Sequence, residues 1–282
     1  MEKGMVEAWY TLIEVLPFSW TEYAFMKNAL LAILIVSPCF GLIGAAVISN
    51  RMAFFSDGMG HSALTGIALG ALIGFSEMFI PMILFAVVFA FAINFFSEKT
   101  GASSDTVIAV FTSFSVALGI ALLTGGSSFR KYSVYLVGDI LSVNPADIFY
   151  LLIMAFVVFV FFLLFGSYLS LIGIEPSLAY RKSIPPYAVK TLFSILLAVL
   201  IVLSIRWMGI LIINSLFILP AASARLWTRS LKTYNLISIV ISLISGITGL
   251  LISYYSGCSC GAAIALCAAF IYAGAIAVKS II

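Results

Sequence analysis

Ser56–Gly74 reads SDGMGHSALTGIALGALIG. Small residues recur at every fourth position, Gly58, Ser62, Gly66, Gly70 and Gly74. A spacing of four lays them in one row along an α-helix. Small-xxx-small rows of this kind let membrane helices approach closely. Asp57, His61 and Thr65 form a second, polar row beside the first. His61 is the one histidine of the chain, and charged residues make up only 9% of it. Ionisable groups at membrane depth cost roughly 2.5–3.5 kcal/mol on insertion scales, and they mark transport paths and relays. A carboxylate and an imidazole one turn apart form a donor pair suited to a divalent transition ion. Two plainer readings stand beside this one. Ser56 or Asp57 can cap the helix start, and the small-residue row can serve packing alone.

The flanking sequence sets the fold class. The chain has 282 residues, 63% of them hydrophobic, and its mean hydropathy is +1.23. That balance excludes a soluble globular domain. The apolar runs are continuous, as in membrane helices, and do not alternate as barrel strands do. The expectation is an all-α polytopic membrane protein, a single transmembrane domain over residues 1–282. Apolar segments run roughly over 25–48, 60–75, 78–97, 106–124, 148–171, 188–205, 208–224, 235–255 and 260–280, which predicts eight or nine spans. The 60–75 segment is short and Gly-rich. The 188–205 and 208–224 segments are parted only by Arg206, Trp207 and Met208. Residues 1–24 carry Glu2, Glu7, Glu14 and Glu22 and lack the pattern of a secretory signal. Trp9, Tyr10, Leu12, Ile13 and Leu16 predict an amphipathic interfacial helix there. Arg225, Arg229 and Lys232 in one loop, with Arg181 and Lys182 in another, favour a cytoplasmic side for both.

Other polar positions in the apolar runs divide between packing and path. Asp105 precedes a span and reads first as a helix cap, second as a path-lining group. Asn214 and Ser215 interrupt GILIINSLFILPAASAR, either bonding between helices or lining a path. Pro220 in the same helix predicts a kink. Asp139 in YLVGDIL reads as a loop acid or an ion-facing group. Cys39 and Cys267 read as small packing residues. Cys258 and Cys260 flank a tight turn, where packing is favoured over a soft metal contact. In GIEPSLAYRKSIPPYA, Glu175 and Pro176 predict a helix start and Pro185–Pro186 its end. The short helix of about two turns carries Leu178, Ala179, Tyr180 and Arg181 and is either a lone surface helix or a docking element. No G-x-x-x-x-G-K-[ST] phosphate loop occurs, so the chain is not expected to be an enzyme, and ATP hydrolysis would need a second polypeptide.

Five stretches carry a family resemblance: NRMAFFSDGMGHSALTGIALG from Asn50, SDTVIAVFTSFSVALGIALL from Ser104, YLVGDIL from Tyr135, GIEPSLAYRKSI from Gly173 and MGILIINSLFILPAASARLW from Met208. In this order they resemble the membrane permease subunits of bacterial metal-ion ABC importers, the zinc, manganese and iron class with a type II importer fold. The resemblance implies a permease homodimer on two cytoplasmic ATPase subunits, fed by an extracytoplasmic metal-binding protein, in the cytoplasmic membrane of a bacterium or archaeon. It implies no nucleic-acid partner and no permanently bound cofactor. It associates Asp57 and His61 with the metal path, Asp105 and Asn214 following as second candidates. It also implies a coupling helix over Glu175–Ser183, within a cytoplasmic loop spanning 173–186. Two copies would offer four ligands, a count that suits tetrahedral zinc or a manganese ion completed by water, with iron also admissible. The rival transport class is an ion-coupled secondary metal carrier or channel. An intramembrane enzyme is disfavoured, because one histidine cannot build H-E-x-x-H and no G-x-S-x-G elbow occurs.

Overall fold

The computed structural model describes residues 2–15, 17–75, 77–124, 140–179 and 185–281. Their regular structure is helical throughout. The helices are α1 (Glu2–Glu14), α2 (Ala24–Ser49), α3 (Phe55–Ile73), α4 (Phe79–Thr100), α5 (Ser104–Thr124), α6 (Pro145–Ile174), α7 (Pro176–Ala179), α8 (Pro186–Trp227), α9 (Leu231–Ser256) and α10 (Cys260–Ile281). In hydrocarbon a helix alone satisfies its own backbone polar groups, so each apolar run takes this form. Glycines in the left-handed region close α3 at Gly74, α4 at Gly101 and α9 at Gly257. Ser230 caps the start of α9 by accepting a hydrogen bond from the Thr233 N–H.

Seven helical segments among the described residues are long and apolar enough to cross a membrane. The two remaining segments of the nine expected are the chemically interesting ones. One is α3, whose Asp57, His61, serines and glycines lower its hydropathy. The other is the second part of α8, where Ile212–Trp227 is a shorter apolar helix. The division of α8 falls at Gly209, whose φ of 69° and ψ of 167° are non-helical. The sequence pointed to Arg206–Met208 and to a kink at Pro220. The backbone departs from helical geometry at Gly209, the residue directly after Met208, because glycine alone tolerates that φ/ψ combination without strain, and Pro220 lies inside the helix that follows.

The chain divides into two compact units. The first comprises Met1–Ala45, Asp139–Leu164 and Ser215–Ile282, and the second Ala46–Gly138 and Phe165–Asn214. In the first, α9 packs on α10. Ser238 Oγ donates to the Gly41 carbonyl at 2.6 Å, tying α9 to α2. The rings of Phe40 and Phe217 stack with centroids 4.2 Å apart. Helix α1 is pinned to α2 by Trp9 Nε1 donating to the Lys27 carbonyl at 2.9 Å and by the Lys27–Glu14 ion pair at 2.5 Å. The amphipathic N-terminal helix is therefore present, and its Ile13 is buried.

In the second unit, α3 packs on both α4 and α5. Gly58 faces Ile108 and Thr112, and Thr65 faces Gly119, so α3 and α5 run in the same direction. Gly66 and Gly70 face Met82 and Pro81, so α4 runs the opposite way. The small-residue row thus serves close helix packing, except at Gly74, which is the left-handed C-cap. A Cβ at Gly66 would lie 2.9 Å from the Met82 Cα, a backbone atom that cannot turn aside. Gly66→Ala is expected to destabilise the folded protein by about 1–3 kcal/mol through overpacking. Gly274→Ala, with nothing within 4 Å of the added carbon, should not destabilise it. Thermal unfolding of the two variants in the same detergent checks the contrast.

Candidate ion-handling site

Helix α3 is buried along nearly its whole length. From Phe55 to Gly70 the only exposed residue is His61, and Asp57 and Leu69 are half-buried. The side chains of Asp57 and His61 are 50% and 48% exposed, which makes them the opening in an otherwise enclosed helix. Neither residue is spent on capping. The N-cap of α3 is Phe54, with no side-chain cap bond, and the hydroxyl of Ser56 is buried without a partner. Asp57 lies in the first turn, where a carboxylate is favoured by the helix dipole.

The carboxylate of Asp57 is held from another helix. Asn214 Nδ2 donates to Asp57 Oδ1 at 2.8 Å. His61 Nε2 lies 3.5 Å from the same oxygen. Two donors about 2.1 Å from one tetrahedral ion are about 3.4 Å apart, so the Asp57–His61 spacing is that of a chelating pair. Asn214 Oδ1 is buried and has no partner. With the amide turned over, this oxygen would face the carboxylate, an arrangement that two acceptors tolerate only around a cation. Asp57, His61 and Asn214 therefore offer a carboxylate, an imidazole and an amide in one place. Among the described residues no group of three His, Cys, Asp or Glu side chains gathers that could hold a metal ion. The set is thus too sparse for a permanent cage.

The other singled-out residues fall elsewhere. Thr65 is fully buried and donates to the Ser115 carbonyl at 2.5 Å, so the polar row stops at His61. Asp105 sits in the first turn of α5, but Ser103 caps that helix by accepting from the Thr106 N–H at 3.2 Å. Asp105 Oδ1 is buried without a hydrogen-bond partner, and the neighbouring Ser104 Oγ accepts at 2.8 Å from the ammonium of Lys190, a residue the sequence reading passed over. A lysine one turn inside an apolar span was the available signal. Gly209 was also missed, although it sits where two apolar runs meet. It interrupts α8 little more than a turn before Asn214.

Around the 175–183 loop, α7 is a single turn, and Ser177 Oγ donates to Glu175 Oε1 at 2.6 Å. Ala179 is buried against Tyr168 and Val189, and its carbonyl accepts from the Tyr168 hydroxyl at 3.0 Å. Leu178 is exposed. Pro176 opens the turn, and Tyr180 and Arg181 lie outside the described residues, as does Asp139. Cys258 is exposed and Cys260 is buried.

A family model described as the ABC 3 transport family matches residues 22–279. The chain belongs to that family. It is 30% identical over 245 residues to the high-affinity zinc uptake system membrane protein ZnuB of Haemophilus influenzae, covering 86% of this chain and 94% of that one. It is 29% identical over 254 residues to the manganese transport system membrane protein MntC of Halalkalibacterium halodurans, covering 89% and 86%. Its fold matches a chain of the solved structure of PsaBC from Streptococcus pneumoniae in complex with Fab, with a TM-score of 0.75, 28% identity, and coverage of 90% and 91%. The chain is accordingly a multi-pass membrane protein of ABC transport, with α1 preceding the family-matched region.

Because Gly209 adopts φ and ψ that other residues avoid, Gly209→Ala should cost about 1–3 kcal/mol. The strain that the added Cβ introduces would lie little more than a turn before Asn214. Loss of transport larger than the loss of folded protein, measured on the same preparation, is the expected outcome.

Proposed function

We propose that the chain is the permease subunit of an ABC importer for divalent metal ions, zinc or manganese, and that Asp57 and His61 contact the ion in transit. The observation that carries the reading is the 3.5 Å pairing of the carboxylate and the imidazole at the accessible turn of the otherwise buried stretch 55–70, in a chain of an ABC transport family. Relatives named for zinc uptake and for manganese transport support the cargo class. Zinc accepts imidazole and carboxylate in tetrahedral sites, and manganese accepts the same donors with water. ATP hydrolysis resides on a separate subunit in this reading. The working complex is a permease homodimer with cytoplasmic ATPases and an extracytoplasmic metal-binding protein.

The sparse donor set suits passage. An ion must be bound well enough to shed part of its water and loosely enough to leave. Two ligands per copy, or four across a two-fold axis, satisfy both demands better than a closed cage. Asn214 acts beside them, orienting Asp57 when the ion is absent and turning its amide oxygen inward when the ion is present.

Metal uptake in a bacterial strain lacking its own importers, with the cognate ATPase and binding protein co-expressed, tests the assignment. Wild-type chain should support zinc- or manganese-dependent accumulation. Asp57→Ala and His61→Ala should each lower uptake by on the order of a hundredfold while the complex still assembles, a loss of the size seen for ligand and supporting-residue changes at metal sites. Uptake that persists unchanged in both variants would overturn the ion-contact role.

The exposed Leu178 on α7 gives a second test. If this turn docks on the ATPase, Leu178→Asp should weaken co-purification of the two subunits by at least tenfold, in the range of apolar hot-spot losses. Ser177→Ala, which removes only a local hydrogen bond, should leave co-purification intact.

A further inference from the structure

We infer that Lys190 is a positioning residue that couples the 175–186 loop to the ion-handling helix, by exchanging its ammonium between Ser104 and the carboxylate of Asp105. This rests on the ATPase-driven reading above. Lys190 lies one turn into α8, directly after that loop. A cation there opposes the helix dipole, which favours negative charge at helix starts, so its placement needs an external cause. The cause is on the neighbouring helices. Its Nζ donates to Ser104 Oγ, the first residue of α5, at 2.8 Å, and the carboxylates of Glu98 on α4 and Asp105 on α5 attract it. Lys190 thus ties the start of α8 to the α4–α5 connection, and α4 and α5 are the two helices packed on α3.

The tie is incomplete in an informative way. A lysine ammonium has three donors, and Ser104 uses one. Asp105 Oδ1, within its electrostatic reach, is buried with no hydrogen-bond partner. Lys190 thus has donors to spare, and the carboxylate that follows its acceptor in the chain has an oxygen to satisfy. Asp105 lies about 100° further around α5 than Ser104, so the exchange we infer swings the long Lys190 side chain around α5 from one acceptor to the other. Space for that movement exists. A cavity of about 370 Å³ opens at this end of the unit, lined by Arg51, Glu98, Ser103, Ser104, Tyr187 and Lys190. Ile172, Gly173 and Ile174, which lead into the 175–186 loop, line the same cavity. Packed helices with two discrete hydrogen-bonded positions are the kind of bistable element that converts a small push into a defined shift.

The test uses the complete complex of permease, ATPase and binding protein in proteoliposomes. Lys190→Met keeps the aliphatic stem and removes the charge. It should leave ATP hydrolysis close to wild type and lower metal transported per ATP by about tenfold, within the range of coupling mutations. Lys190→Arg, which can reach both acceptors, should restore the ratio. Asp105→Asn should lower the ratio as Lys190→Met does, and the double variant should be no worse than either, as expected for one shared interaction. A ratio unchanged in Lys190→Met would overturn the proposal. So would a loss in Lys190→Met that Lys190→Arg fails to recover. A second measurement is independent of cargo. Carbodiimide coupling of the native residues, read by mass spectrometry, should give several-fold more Lys190–Asp105 isopeptide bond in the ATP-bound complex than without nucleotide. An equal yield in both states would refute the exchange even where transport is normal. A complex that moves no zinc or manganese yet shows the nucleotide-dependent bond would refute the cargo assignment and leave the exchange standing.

Discussion

The hydrogen bond from Asn214 to Asp57 is the contact on which the ion-handling arrangement depends. Asp57 is half withdrawn from water, and a donor offsets part of the solvation its carboxylate loses. Here the donor comes from α8, and it fixes one carboxylate oxygen 2.8 Å from an amide. The same oxygen lies 3.5 Å from His61. With Asp57 held in this way, the imidazole one turn on has a defined partner. The rest of α3 is arranged to protect that geometry. Its small residues let α4 and α5 close over its other faces, and Thr65 and Ser115 join α3 to α5 by hydrogen bonds deep in the packing.

In the proposed reading, a sparse donor set is what transit demands. A tetrahedral cage of four side chains in one copy would hold an ion for long times, since each ligand adds to the barrier for leaving. One carboxylate, one imidazole and one amide that can present either atom make a site whose affinity changes with small rotations. The buried, unpartnered Asn214 Oδ1 is the residual acceptor in that scheme. Its cost in the empty state is tolerable only because its sister nitrogen is used on Asp57. The compensation is local, and it ties the amide orientation to the charge in front of it.

Much of this was legible in the chain. Apolar runs of membrane-spanning length predicted the helices because hydrocarbon permits little else. Asp57 and His61 stood out because ionisable residues are scarce in this composition. Two features were not legible, for different reasons. Gly209 is one of 21 glycines, and its place at the junction of two apolar runs is a hint that only the backbone turns into a helix break. Lys190 stands out only as a lysine one turn inside an apolar span, and its partner Ser104 is far away in sequence and meets it only through folding. The same distance misdirected the reading of Asp105. Its Ser-Ser-Asp context suggested a cap, and the capping oxygen belongs to Ser103. Hydropathy under-scored α3 because Asp57, His61 and its serines and glycines lower the mean of an otherwise apolar helix.

Lys190 and Asn214 lie on the same helix, separated by the break at Gly209. The stretch from Lys190 to Gly209 is about 28 Å of continuous helix at 1.5 Å per residue. A helix of that length transmits an axial displacement with little loss, because its hydrogen-bond ladder resists compression. A rigid connection carried through to Asn214 would drag the amide off Asp57 with every movement at the far end. A glycine in a non-helical conformation just before Asn214 relaxes that requirement. In the proposed exchange, a break at that point would spare the bond to Asp57, because a shift at Lys190 need not be carried undiminished to Asn214.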